Sequence, residues 1–179
     1  VALFQHDKYI SKIDPADSLL FFLLKGEFRL GEISIHASRE GSTREDEQIM
    51  LSFIKADRKI KIDSKDIANI KVNIDVEVHG SILEYIGDLE IEEEAGQLEL
   101  EKYISTYISN SSERLIANMQ ALKVDSLGIG RFVRNSLTYE QWQELNWREA
   151  FPELDIRCNV DVKIKDFGKF KTGKIKEKY

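Results

Sequence analysis

Hydrophobic positions recur at two different periods along the chain, and the switch between them outlines the fold. Over residues 97–123, Leu100, Ile104, Tyr107, Ile108, Leu115, Met119 and Leu122 follow three- and four-residue steps. That spacing predicts one amphipathic helix of roughly 40 Å, long enough to back a whole sheet. Glu101, Lys102, Ser105, Ser109, Glu113 and Lys123 fall on the opposite, polar side. Gly96 and the acidic run before it mark the expected start of the helix.

Period two governs much of the rest. In 68–85, Ile70, Val72, Ile74, Val76, Val78 and Ile82 alternate with Lys71, Asn73, Asp75, Glu77 and His79, and Gly80 marks a bulge or bend. In 154–164, Leu154, Ile156, Cys158, Val160, Val162 and Ile164 alternate with Asp155, Arg157, Asn159, Asp161 and Lys163. Each strand thus has one buried and one wet face, as in a sheet covered on one side. The strand 48–62 changes phase: Ile49, Leu51 and Phe53 are odd, Ile54, Ala56, Ile60 and Ile62 even. The shift predicts a bulge or a change of buried face near Phe53 and Ile54.

Shorter elements fill the gaps. Residues 3–4 and 9–13 read as strand, turn, strand about His6, Asp7 and Lys8. Asp14 and Pro15 open a helix over 16–25 that closes at Gly26, and the apolar run 19–24 predicts burial on all its sides. A strand over 32–37 and a loop over 39–47 follow. After the long helix come short helices at 131–135 and 139–145, the second opened by a capping box from Thr138 to Gln141, and a connector at 147–152. Strands, then helices, then a strand predict an α+β fold: a mostly antiparallel sheet with one long helix and several short helices packed on one face. The last strand follows a helical excursion, which leaves room for a parallel pairing.

The length of 179 residues suits a single domain, with 169–179 a lysine-rich flexible tail. A net charge of −6 argues against nucleic acid as a partner. The longest apolar run, 19–24, is far short of a membrane span. The chain opens without Met or signal peptide, directly in strand-like sequence, which reads as a piece cut from a longer protein.

Reactive chemistry is sparse. Gly128-Ile129-Gly130 follows a helix rather than a strand, and Val133 stands where a dinucleotide fingerprint needs its third glycine. A tight turn that lets Leu127 and Ile129 pack explains it better. His6, His36 and His79 lack partners at metal-ligand spacing, and Glu90, Glu92, Glu93 and Glu94 lack the ligand order of a calcium loop. No metal and no cofactor is expected. Cys158 lies on the apolar side of its strand and reads as a buried small hydrophobe rather than a nucleophile. The stretch 131–147 holds Arg131, Arg134, Trp142 and Trp147, the residue types most enriched in binding hot spots. It is the candidate partner surface, with closure of one end of the core as the competing role for the tryptophans. The lysines from Lys163 to Lys178 read as solvated, with anionic lipid as the alternative.

The order of these segments resembles one family. Asp125, Gly128 and Gly130 after a long helix, then Trp142, then Trp147 with Phe151-Pro152 and an alternating strand, resemble the C-terminal domain of Ger(x)C-type spore germination proteins. Upstream, ALFQHDKYI, LSFIKADRKIKI and IKVNIDVEVHGSILEY resemble its opening segment and paired strands. The resemblance implies the C-terminal domain of a longer lipoprotein, the C subunit of a nutrient germinant receptor. Such a subunit is lipid-anchored at the outer face of the spore inner membrane beside the A and B membrane subunits, with no enzymatic activity. The lipid-carrying Cys of the family is absent from this chain, and Cys158, mid-strand, cannot replace it. The family supplies no ligand-site motif, so two roles follow from it: a non-enzymatic assembly subunit, or a small-molecule domain that senses the germinant.

Overall fold

The computed structural model describes residues 1–5, 7–26, 28, 31–37, 41–43 and 46–167. The expected tail at 169–179, residues 39–40 and 44–45 of the 39–47 loop and His6 lie outside the described residues. The elements in chain order are β1 (Ala2–Gln5), β2 (Lys8–Lys12), α1 (Pro15–Lys25), β3 (Ile33–Ala37), β4 (Glu47–Asp63) and β5 (Lys71–Ile86). Then follow α2 (Glu94–Ala121), α3 (Ile129–Ser136), α4 (Tyr139–Glu144), α5 (Trp147–Ala150) and β6 (Asp155–Asp166). Short 3-10 turns precede β5 at Ile67–Asn69 and β6 at Phe151–Glu153.

The α+β expectation holds. The main sheet has the order β3-β4-β5-β6, antiparallel except for the last pair, where β6 returns parallel to β5. Val72, Ile74, Val76 and Val78 of β5 and Cys158, Val160 and Val162 of β6 are buried on one face, under the helices. Ile156 is only half-buried. The opposite face is polar, with Lys61 paired to Asp75 at 2.7 Å and Asn159 donating to the same carboxylate at 3.3 Å. These bonds, that from Lys61 foremost, hold the Asp75 carboxyl below its ordinary range.

The phase change in β4 is a bulge. Ser52 faces Ser81 and Lys55 faces His79, so Phe53 and Ile54 together oppose Gly80. Phe53 takes a left-handed φ of 52°, and its ring is 74% exposed. The irregularity spreads across the sheet. Leu83 is an extra residue in β5 between the partners of Met50 and Leu51. Lys165 is an extra residue in β6 between the partners of Gly80 and Ser81.

Helix α2 departs from expectation at both ends and on its polar side. It starts before Gly96, which lies inside the first turn. A Cβ there would come within 2.2 Å of the Glu90 carbonyl, so the glycine permits a close backbone approach instead of capping the helix. At the other end Leu122 is the cap residue and partly exposed, and Lys123 takes φ 56°. Leu100, Ile104, Ile108, Leu115 and Met119 are buried as the period requires, joined by Ile116, Ser111 and Ser112. The polar row is not on the solvent side. Glu101 accepts from the Ile164 N–H (2.7 Å), Ser105 from Val162 (3.0 Å), Ser109 from Val160 (2.9 Å) and Glu113 from Cys158 (3.2 Å). Gln120 extends the row by donating to the carbonyls of Phe151 and Leu154. The helix therefore runs antiparallel along the outer edge of β6 and closes it. Four helical residues advance about 6.0 Å and two strand residues about 6.6 Å, so the two repeats stay in step over this length.

Other boundaries shift modestly. Residues 68–70 precede β5 rather than belonging to it, because the Asp66 side chain caps a 3-10 turn through the Ala68 N–H. The connector at 147–152 is helical, split between α5 and the turn that carries Pro152. In α1, Leu20, Phe21, Leu23 and Leu24 are buried but Phe22 points outward, so the helix is covered on most sides and not on all.

The hairpin of β1 and β2 forms a separate two-stranded sheet. Leu3 and Ile13 anchor it in the core, and the Gln5 amide donates to the Lys123 carbonyl at 3.2 Å.

Candidate partner surface

The turn before α3 shows what Asp125, Gly128 and Gly130 do. Both Asp125 carboxylate oxygens accept from the open end of α3, one from the Ile129 N–H (2.9 Å) and one from Gly130 (2.7 Å). Satisfying free N–H groups at a helix start is the work of a capping carboxylate. Gly128 sits at φ 73°, where a side chain is disfavoured. A Cβ on Gly130 would lie 2.7 Å from the Trp147 ring. The Gly-x-Gly pair is thus structural: it turns the chain and seats a tryptophan, while Leu127 and Ile129 are buried as expected.

Trp147 stands between Trp142, with ring centroids 6.0 Å apart, and Phe151, at 5.6 Å. Both tryptophans are half-buried and packed against the core. Each closes part of the core and leaves an edge accessible. The capping box of α4 is complete: Thr138 accepts from the Gln141 N–H, and the Gln141 side chain accepts from the Thr138 N–H.

Arg131 and Arg134 are exposed on α3. The Arg131 guanidinium lies 5.2 Å from the centre of the Phe132 ring, and Arg58 of β4 lies 5.6 Å from it. Arg58 also donates to the Leu24 carbonyl at the end of α1. The arginine–aromatic stack ties α1, β4 and α3 together, a role for Phe132 and Arg58 that neither residue's spacing signals. Arg131 belongs to this stack from α3, whereas Trp142 and Trp147 lie on α4 and α5. Arg134 makes no ion pair among the described residues.

No reactive constellation accompanies this surface. Among the described residues, no group of three or more His, Cys, Asp or Glu is placed to hold a metal ion. Cys158 is buried beside Ser112, and burial first, with the Glu113 and Asp75 charges adding to it, pushes its thiol pKa up to about 12. Two surface depressions among the described residues, about 310 and 320 Å³, lie elsewhere. One sits between the β1–β2 hairpin and the ends of α1 and α2, the other on the polar face of the sheet. Both carry charged side chains among their walls.

Comparison with known proteins places the chain. Residues 1–168 match the family described as "Spore germination B3/ GerAC like, C-terminal". The sequence is 24% identical over 168 residues to "Spore germination protein GerQC" of Bacillus cereus, covering 94% of this chain and 45% of the relative. The fold matches the "Crystal Structure of the GerBC protein" with a TM-score of 0.67 at 15% identity, over 89% of this chain and 48% of that one. The chain spans about half the length of these relatives.

Proposed function

The chain belongs to the GerAC-like C-terminal domain family of spore germination proteins, the C subunits of germinant receptors, and we propose that it acts in receptor assembly through protein contacts and not through catalysis. The observation that carries this reading is the family match itself, which runs through nearly every element from β1 to β6. On this proposal the domain is the C-terminal part of a lipoprotein. An N-terminal lipid holds the full-length protein at the outer face of the spore inner membrane, beside the A and B membrane subunits. Among the described residues no helix is long and apolar enough to cross a membrane, in keeping with a part held at the surface by an anchor elsewhere.

Arg131, Arg134, Trp142 and Trp147 are the proposed contact. Trp147 is fixed from behind by Gly130 and Phe151 and itself packs against Trp142, so the exposed tryptophan edges are presented without a large loss of side-chain freedom on binding. A second reading, direct binding of the nutrient, draws on the 310 Å³ groove at the hairpin, where Lys12, Asp14 and Asp17 meet Leu3, Leu115 and Met119. Small-molecule sites are usually more enclosed and more apolar than this, which favours the assembly reading.

The test is recovery of the full-length protein with its neighbouring subunits from spore membranes. Arg134→Ala is the cleaner variant, because Arg131 also covers the Phe132 ring. Arg131→Ala is the second. Both are expected to melt close to the parent, to recover less of the A and B subunits, and to slow germination. If both fold, retain the full receptor complement and germinate normally, this surface is not the contact. Nutrient binding by the purified full-length protein alone would favour the second reading.

A further inference from the structure

The hairpin carries an apolar feature that its own domain does not use. Leu3 faces the core, so Phe4 faces away from it, and Phe4 pairs across the hairpin with Tyr9. Their rings meet edge to face with centroids 5.9 Å apart, 52% and 54% exposed. Isolated two-stranded hairpins are marginal in water, and aromatic side chains are enriched in the water-excluded centres of interfaces.

The relatives extend beyond the matched span. About half of each relative falls outside the matched span, and the matched part is described as C-terminal, so that half precedes it. Chain arriving from there enters at Val1, which is already paired: the Ile13 N–H donates to the Val1 carbonyl at 2.7 Å. Val1 is three strand residues from Phe4, about 10 Å. The 310 Å³ groove lined by Leu3, Ser11, Lys12, Ile13 and Leu122 opens beside the same strands. Chain entering at Val1 therefore arrives about 10 Å from the aromatic pair, on the strand whose Leu3 lines the groove.

We infer that the outer face of the β1–β2 hairpin, centred on Phe4 and Tyr9, is the docking surface for the preceding half of the full-length polypeptide. The aromatic pair forms the dry centre of that contact, and the groove beside it receives the chain that joins the two halves. The contact is internal to one polypeptide and does not depend on the assembly role proposed above.

Hydroxyl-radical footprinting of the full-length protein tests it without a mutation. Tyr139 is 70% exposed on α4 and serves as the internal reference. In the full-length monomer, Phe4 and Tyr9 are expected to oxidise about ten times more slowly than Tyr139, as for residues at an interface centre. In the 179-residue chain Tyr9 and Tyr139 are expected within about twofold of one another, in line with their similar exposure. Tyr9→Lys in the full-length protein is expected to speed proteolysis of the segment just before Val1, whereas Leu98→Lys, at an exposed site on α2, is expected to leave it unchanged. Tyr9 and Tyr139 reacting alike in the full-length monomer overturns the inference. Protection that appears only as protein concentration rises, or only with the other receptor subunits present, assigns the face to a second copy or a partner and overturns it as well.

Discussion

Ser109 takes the Val160 N–H at 2.9 Å, so a helix side chain completes a hydrogen bond that a neighbouring strand would otherwise supply. Its neighbour Ser105 does the same for Val162 while donating its own proton to the Glu101 carbonyl one turn back. The internal bond leaves a lone pair directed at the strand. Ser109→Ala leaves the Val160 N–H without its acceptor. The expected loss is about 1–2 kcal/mol in urea unfolding, the penalty for an unsatisfied, partly buried donor. Thr106→Ala, whose hydroxyl donates only to the Lys102 carbonyl of its own helix, is expected to change stability by less than about 0.5 kcal/mol. Equal losses for the two variants would show that the contact with β6 contributes nothing of its own.

Ile104 is fully buried on the core-facing side of the same helix. Ile104→Asp places an unpaired charge in the core and is expected to cost several kcal/mol, roughly 3–5, enough to unfold a marginal domain. Lys102→Asp, on the exposed side, is expected to be mild. A melting temperature for Ile104→Asp equal to that of the parent would remove this face of α2 from the core.

Gly130 and Gly128 test the structural account of the turn. Gly130→Ala sets a methyl against the Trp147 ring and is expected to cost about 1–3 kcal/mol through overpacking. Gly128→Ala meets open space but must hold a left-handed backbone, for a loss of about 1–2 kcal/mol. Near-UV circular dichroism separates them. The first is expected to change the tryptophan signal, and the second to lower stability with the signal intact.

Cys158 offers a pH test with a definite sign. Its folded thiol pKa, pushed up to about 12, lies above the ordinary value of 9.0, so the folded state disfavours the thiolate. Stability from this group is fully present below pH 9 and is lost as pH rises from there toward 12. Native-state labelling at pH 8 is expected to run slower than in the urea-unfolded chain by a factor on the order of a thousand, because reaction must wait for opening. Fast labelling would mean that Cys158 is not buried and that the register of β6 is wrong.

The strands and the bulge were legible in the sequence because one face is apolar and the other is not. Val72, Ile74 and Val76 on one side and Asn73, Asp75 and Glu77 on the other leave a single register that buries the right set. The polar row of α2 was misread for the opposite reason. Glu101, Ser105, Ser109 and Glu113 look like a solvated face, since a polar side chain hydrogen-bonded to protein and one hydrogen-bonded to water have the same pattern. Their strict four-residue spacing, with two short hydroxyl side chains in the middle, was the available signal. At the candidate surface, residue type picked out Trp142 and Trp147 but not their half-burial, which for Trp147 depends on Gly130 and Phe151 meeting it and for Trp142 on Trp147. Arg58 reaches Phe132 from more than seventy residues away in sequence, and no local pattern encodes such a contact.

The bulge at Phe53 has a consequence for chain length. Leu51 and Ile54 are both in the core, and the pairs on either side, Ser52 with Ser81 and Lys55 with His79, are separated on β5 by Gly80 alone. Excising Phe53 would bring Ile54 opposite Gly80 and leave every other pairing unmoved. A single-residue deletion in the middle of a central strand ordinarily inverts everything after it; here it would restore an unbroken alternation and remove a bulky residue from a left-handed backbone. The core can therefore be assembled without Phe53, and what the additional residue contributes is curvature, the tighter local twist that a bulge gives to the strand carrying it.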